Sequence, residues 1–192
     1  MKKTMPSFLL CLNLFLSAQA LAFQSKEGFS FSPPENWQAA DPKNGCSKNS
    51  LCFVPNPHES ESIFIEPSPP LKAASQDIQI QNLMGVLSFK DASSEKELIR
   101  LKDKLIEGFK KYSELGVIKN YQALNSQSKK IGKYPGLLLE SKFELGHYPF
   151  SLFQAFISGP QRTVLFSCSF DFQQKSALQA LCSKSFESIQ FK

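Results

Sequence analysis

Hydrophobic and polar positions change period several times along this chain, and each change marks an element. Residues 28–32 alternate as Gly-Phe-Ser-Phe-Ser and predict a short first strand, which Pro33 and Pro34 end. Trp37 then falls in a loop. Residues 38–50 are rich in Asp, Pro, Lys, Asn, Gly and Ser and also read as loop. Residues 51–55 and 61–66 are strand candidates, the second centred on Ile63-Phe64-Ile65. Residues 78–87 fit two templates, and the spacing of Ile80, Leu83, Met84 and Leu87 predicts a helix there rather than a strand. The strongest helix runs over 94–112. Ser94 and Glu97 have capping-box spacing, Leu98, Leu101, Leu105, Phe109 and Tyr112 make one apolar stripe, and Gly116 stops it.

Strands joined by short turns follow. Residues 117–128 predict a long polar strand suited to a sheet edge, and Lys133-Tyr134-Pro135-Gly136 a turn. Leu137, Leu139, Phe143 and Leu145 alternate with Leu138, Glu140, Lys142 and Glu144, which places Glu140 and Glu144 on an outward face. Gly146-His147 turns the chain into 148–158, which is apolar on both faces: Phe150, Leu152 and Phe156 on one, Phe153, Ala155 and Ile157 on the other. A central strand covered on both sides needs that pattern, although an exposed partner patch would show it too. Residues 163–170 alternate strictly, with Val164, Phe166, Cys168 and Phe170 on one face. Residues 173–188 read as a helix with the stripe Leu178, Leu181, Cys182, Phe186 and Ile189, ahead of a short tail.

The first 22 residues have a different logic. Lys2 and Lys3 precede an apolar run from Phe8 to Leu16, and Ala18-Gln19-Ala20-Leu21-Ala22 supplies small residues at cleavage spacing. Residues 1–22 are therefore expected to be a secretory signal peptide of bacterial type, cut after Ala22 or, second, after Ala20. Cys11 lies within the apolar run and lacks the surroundings of a lipid-modified cysteine. Residues 23–192 form one expected domain, long enough to bury roughly 70% of its unfolded surface. No second apolar run reaches membrane-spanning length.

Composition narrows the function classes. The 192 residues are 42% hydrophobic and 20% charged, which excludes a disordered or collagenous chain. The net charge of +5 includes the two leader lysines, so the remainder is only weakly basic and gives no argument for nucleic acid. Beyond the leader stand Cys46, Cys52, Cys168 and Cys182, an even set in an exported chain, and hence disulfides. Four cysteines allow three connectivities. Spacing favours Cys46 with Cys52 and Cys168 with Cys182, and the last two share the predicted interface of the 163–170 strand and the 173–188 helix. Zinc is the weaker reading, with no Cys-x-x-Cys and only two histidines.

The order of elements resembles the PsbP-like family, which shares its fold with the Ran-binding Mog protein of eukaryotes. The resemblance rests on Phe29-Ser30-Phe31-Ser32-Pro33-Pro34, Trp37, Tyr134-Pro135-Gly136, the strand at 162–171, and Ser185-Phe186 with Ile189. It covers most of residues 23–192. It implies an α+β fold, an α/β/α sandwich with a central antiparallel sheet flanked by helices, and non-enzymatic binding or assembly roles. It carries over no site residue.

Candidate chemistry is sparse. There is no Gly-x-Ser-x-Gly elbow, no P-loop and no dinucleotide fingerprint. His58 and His147 fall in predicted loops, and His58-Glu59-Ser60-Glu61 reads as a solvated acidic loop more readily than as a metal site. No catalytic residue, metal or cofactor is expected. The candidate binding residues are Lys129, Lys130, Lys133 and Tyr134, a basic turn with an aromatic that suits an acidic partner or anionic headgroups. A solvated hairpin loop is the plainer account of it. The expected protein is a periplasmic or secreted, non-catalytic binding or accessory protein of the envelope with a protein partner. A small secreted hydrolase with a loop-built site, or a secreted factor acting on a host, are the alternatives.

Overall fold

The computed structural model describes residues 22–40, 51–56, 82–90 and 94–192. Residues 1–21 of the expected signal peptide, the strand candidate at 61–66, His58 and Cys46 lie outside them. In chain order the strands are β1 (Phe23–Gln24), β2 (Phe29–Phe31), β3 (Trp37–Ala39), β4 (Leu51–Pro55) and β5 (Leu83–Lys90). Helix α1 (Glu95–Glu114) follows, then β6 (Lys119–Ile131), β7 (Tyr134–Leu145), β8 (Tyr148–Ser158) and β9 (Arg162–Asp171). Helix α2 (Lys175–Glu187) and β10 (Gln190–Phe191) close the chain.

Seven strands make one antiparallel sheet in the order β3-β4-β5-β9-β8-β7-β6. The second half is the expected meander, because short turns force consecutive strands to pair. A smaller sheet, β1-β2-β10, joins the two ends of the described chain. Phe23, the first residue after the expected cleavage, opens β1 and packs at 5.5 Å from the Phe31 ring and 5.6 Å from that of Phe53.

The central strands of the large sheet bury residues on both faces. On one, Leu98, Leu101, Leu105 and Ile106 of α1 meet Leu137, Leu139, Phe156 and Leu165. On the other, Leu178, Cys182 and Phe186 of α2 meet Phe153, Ala155, Ile157, Val164, Phe166, Cys168 and Phe170, with Phe29 and Phe31 of the small sheet in the same cluster. Every residue of β8 from Phe150 to Ser158 is buried. Its doubly apolar pattern is therefore that of a covered central strand, not of an exposed partner patch.

Helix α1 starts where the sequence says. The Ser94 hydroxyl accepts from the Glu97 N–H at 3.3 Å. Glu97 does not complete the box but turns to Arg100, at 2.7 Å. The helix ends in a Schellman arrangement. The Gly116 N–H donates to the Ser113 carbonyl at 3.1 Å and the Val117 N–H to that of Tyr112 at 3.0 Å. Gly116 takes φ +72 with open space around its α-carbon, so Gly116→Ala meets no clash and only backbone strain. That variant is expected to lose about 1 kcal/mol in urea unfolding.

Four expectations are corrected. The helix placed over 78–87 is strand β5 from Leu83 onward, paired with both β4 and β9, while 78–81 lie outside the described residues. Met84 and Val86 face the α2 side and are buried, and Leu83, Leu87 and Phe89 are half-buried on the other. A strand apolar on both faces loses its period of two, and then mimics a helix stripe. Trp37 and its neighbours are strand β3 rather than loop, held by pairing with β4. The C-terminal tail is a strand, with Gln190 opposite Ser30 and Phe191 opposite Phe29. The turn expected over 133–136 closes earlier, at Gly132 and Lys133, and Tyr134 already belongs to β7.

Candidate binding surface

Strand β6 forms one rim of the large sheet and is exposed along most of its length. Its pairing with β7 shifts register between Lys119 and Gln122 and again between Ala123 and Asn125. From Asn125 to Ile131 it is regular, with Asn125 opposite Glu140 and Ile131 opposite Tyr134. Alternation places Asn125, Gln127 and Lys129 on the α2 side and Ser126, Ser128 and Lys130 on the α1 side.

Between this rim and α2 lies a cleft of about 210 Å³, lined by Asn125, Gln127, Lys129, Leu138, Glu140, Phe153, Gln179 and Ser183. Glu140 was expected on a solvated outward face. It is instead half-buried under α2, 3.1 Å from the Lys175 ammonium, and accepts from the Gln179 amide at 2.8 Å. On β7 the α2 helix lies over the Glu140 side, and a carboxylate drawn out of water there must find partners. Its charge is satisfied inside the protein, and Lys129 is the cleft's exposed cation.

The four residues singled out from the sequence stand in different surroundings. Lys129 lines the cleft, whereas Lys130 stands on the opposite side of the same strand. Lys133 sits in the hairpin turn with its ammonium 5.3 Å from the centre of the Tyr134 ring. Tyr134 is tied inward. Its hydroxyl accepts from the Phe191 N–H at 3.1 Å and its ring meets that of Phe191 edge-on at 4.8 Å, fastening the hairpin to β10. Gly132 takes φ +57 and a β-carbon there would lie 3.0 Å from the Glu187 carbonyl, so the turn sits against the end of α2. Asn125, Gln127, Gln179 and Ser183 were not singled out. Nothing in the sequence marks them, because they converge only when a strand edge meets a helix 50 or so residues away.

Of the disulfide set, Cys168 and Cys182 are bonded, both fully buried, with α-carbons 6.6 Å apart. Cys52 is also disulfide-bonded, and the partner expected for it, Cys46, lies outside the described residues. His147 is exposed in the turn between β7 and β8. Among the described residues no three or more His, Cys, Asp or Glu converge, and no helix is long and apolar enough to cross a membrane.

Under α1, Tyr121 stacks on Phe109 with ring centres 5.1 Å apart. Burial raises its phenol above the ordinary 10.0, and the neighbouring Ser141 hydroxyl lowers it in smaller measure, although the pair falls short of hydrogen-bond geometry. The folded state thus holds this proton more tightly than the unfolded one. Its contribution to stability is complete below pH 10 and is lost as pH rises through the folded pKa. Unfolding curves should show wild type losing more stability than Tyr121→Phe above pH 10, and ultraviolet titration should show the variant missing a late-ionising phenol.

No family model matches the chain, and no curated protein matches it. Solved structures do. Cyanobacterial PsbP (CyanoP) from Synechocystis sp. PCC 6803 superimposes with a TM-score of 0.62 at 12% identity, covering 89% of this chain and 91% of its own. The Saccharomyces cerevisiae Ran-binding protein Mog1p does so with a TM-score of 0.52 at 11% identity, covering 88% of this chain and 94% of its own. Identities this low speak to the fold alone. This is an α+β protein built on a large antiparallel sheet with two helices. Its fold is PsbP/Mog1-like, as the order of elements in the sequence had suggested.

Proposed function

We propose that this protein is a non-catalytic binding or accessory protein of the bacterial envelope, exported by residues 1–22 and acting through a protein partner. The observation that carries the reading is the likeness of fold to CyanoP and to Mog1p, the second of which is itself a Ran-binding protein. Three features support it. The buried Cys168–Cys182 disulfide suits an oxidising compartment. The placement of α1 and α2 against opposite sets of sheet residues supports an α/β/α sandwich. The rim of β6 and its cleft present hydrogen-bonding side chains around a carboxylate already paired within the protein, a surface made for contact more than for proton transfer.

The test is in-cell crosslinking followed by capture of the tagged full chain and mass spectrometry, alongside fractionation. A reproducible envelope partner and recovery outside the cytoplasm are the expected results. Recovery of the protein alone, or in the cytoplasm with its cysteines reduced, overturns the reading.

A further inference from the structure

We infer that the regular half of β6, residues 125–131, is a docking edge that takes an extended acidic peptide segment of the partner as an added strand. The inference rests on the binding reading above and names the chemistry of its partner.

The backbone makes the first part of the argument. Among the described residues β6 has β7 on one side and no strand on the other, so every second N–H and C=O along its outer side faces solvent. Among the described residues the opposite rim is the three-residue β3. Both register shifts in β6 fall before Asn125, which leaves 125–131 straight enough for a new strand to pair.

Side chains make the second part. Strand β6 carries Lys119, Lys129 and Lys130 and no carboxylate, and Lys133 follows in the turn. Lys129 and Lys130 are exposed and stand on opposite sides of the strand, so an added strand meets a cation on either side. The nearby carboxylate, Glu140, is held by Lys175 and Gln179 and does not compete. The cleft beside Asn125, Gln127 and Lys129, closed by Gln179 and Ser183, receives a polar side chain of the added strand on the α2 side. A second copy of β6 is a poor occupant of the same edge, since it brings no carboxylate to Lys129 and Lys130.

The probe is a fluorescein-labelled nine-residue peptide of alternating Glu and Thr, titrated by anisotropy against the full folded chain. Saturable binding below about 1 mM is expected, with slowed hydrogen exchange at the amides of 125–131. The triple variant Lys129→Glu, Lys130→Glu, Lys133→Glu should bind at least about tenfold more weakly while keeping the wild-type circular dichroism spectrum. A peptide with alternate amides N-methylated should lose as much, because it keeps the charge and loses the ladder.

Equal binding by the methylated peptide would reduce the contact to charge attraction and overturn the inference. So would an absence of binding up to about 1 mM, protection confined to other strands, or self-association through β6 in sedimentation. If the peptide fails while the wild-type chain still captures an envelope partner, the docking edge falls and the accessory reading stands.

Discussion

Replacing Phe166 by alanine is expected to destabilise the protein by about 3–5 kcal/mol. The side chain is fully buried on the α2 side of β9. Its ring lies 5.0 Å from that of Phe31 in β2 and 5.2 Å from that of Phe186 in α2, so it joins the small sheet, the large sheet and the C-terminal helix. Truncation removes a whole ring from a site whose neighbours are held by three separate elements, and such a site collapses poorly. The expected readout is a melting temperature lower by about 10 °C or more. Hydrogen exchange should also quicken first in β2 and β10, because these short strands depend on the aromatic cluster more than on their own pairing. Phe172, which is 46% exposed just beyond β9, provides the contrast, and Phe172→Ala should stay within about 0.5 kcal/mol. A Phe166→Ala protein as stable as Phe172→Ala would disprove this account of the core.

Removing the Cys168–Cys182 bond is expected to cost about 3 kcal/mol in the chain-entropy account, given a sequence separation of 14. The double variant Cys168→Ala, Cys182→Ala avoids leaving a buried hydroxyl or a lone thiol. It should melt about 6–12 °C lower than wild type. Because both sulfurs are buried, reductant should act on native protein only at the rate of its opening. Non-reducing peptide mapping should find the two linked, and free thiols at both positions would contradict the structure. The bond pins α2 to β9 on the face where Phe166 also sits, so the two losses should not add simply.

Most of the frame was legible because local chemistry and tertiary context agree there. Ser94, the Leu98–Leu101–Leu105 stripe and Gly116 specify α1 without help from the rest of the chain. Strict alternation over 163–170 revealed both the strand and the inward direction of Cys168, and the helical stripe brought Cys182 to meet it. Strand β5 is hidden from its sequence for the opposite reason. It runs between β4 and β9, and burial on both faces erased the alternation that distinguishes a strand from a helix. Trp37 and the C-terminal Phe191 looked like loop and tail because strands of three and two residues carry no period, and only their pairing makes them strands.

The candidate surface divides along the same line. Lys129, Lys130 and Lys133 stand out in a linear reading because charge runs are local. Local pattern dictates the long helix, the meander, the alternating cysteine strand and the basic hairpin, all features whose cause lies within about a dozen neighbouring residues. Long-range packing sets the rest: among the described residues β6 ends the sheet, Lys129 and Lys130 part to opposite sides, Glu140 pairs with Lys175, and Gln179 and Ser183 close a cleft with Asn125 and Gln127. Strand order and helix placement are set by which apolar faces bury one another across long separations, and no window of sequence contains that information.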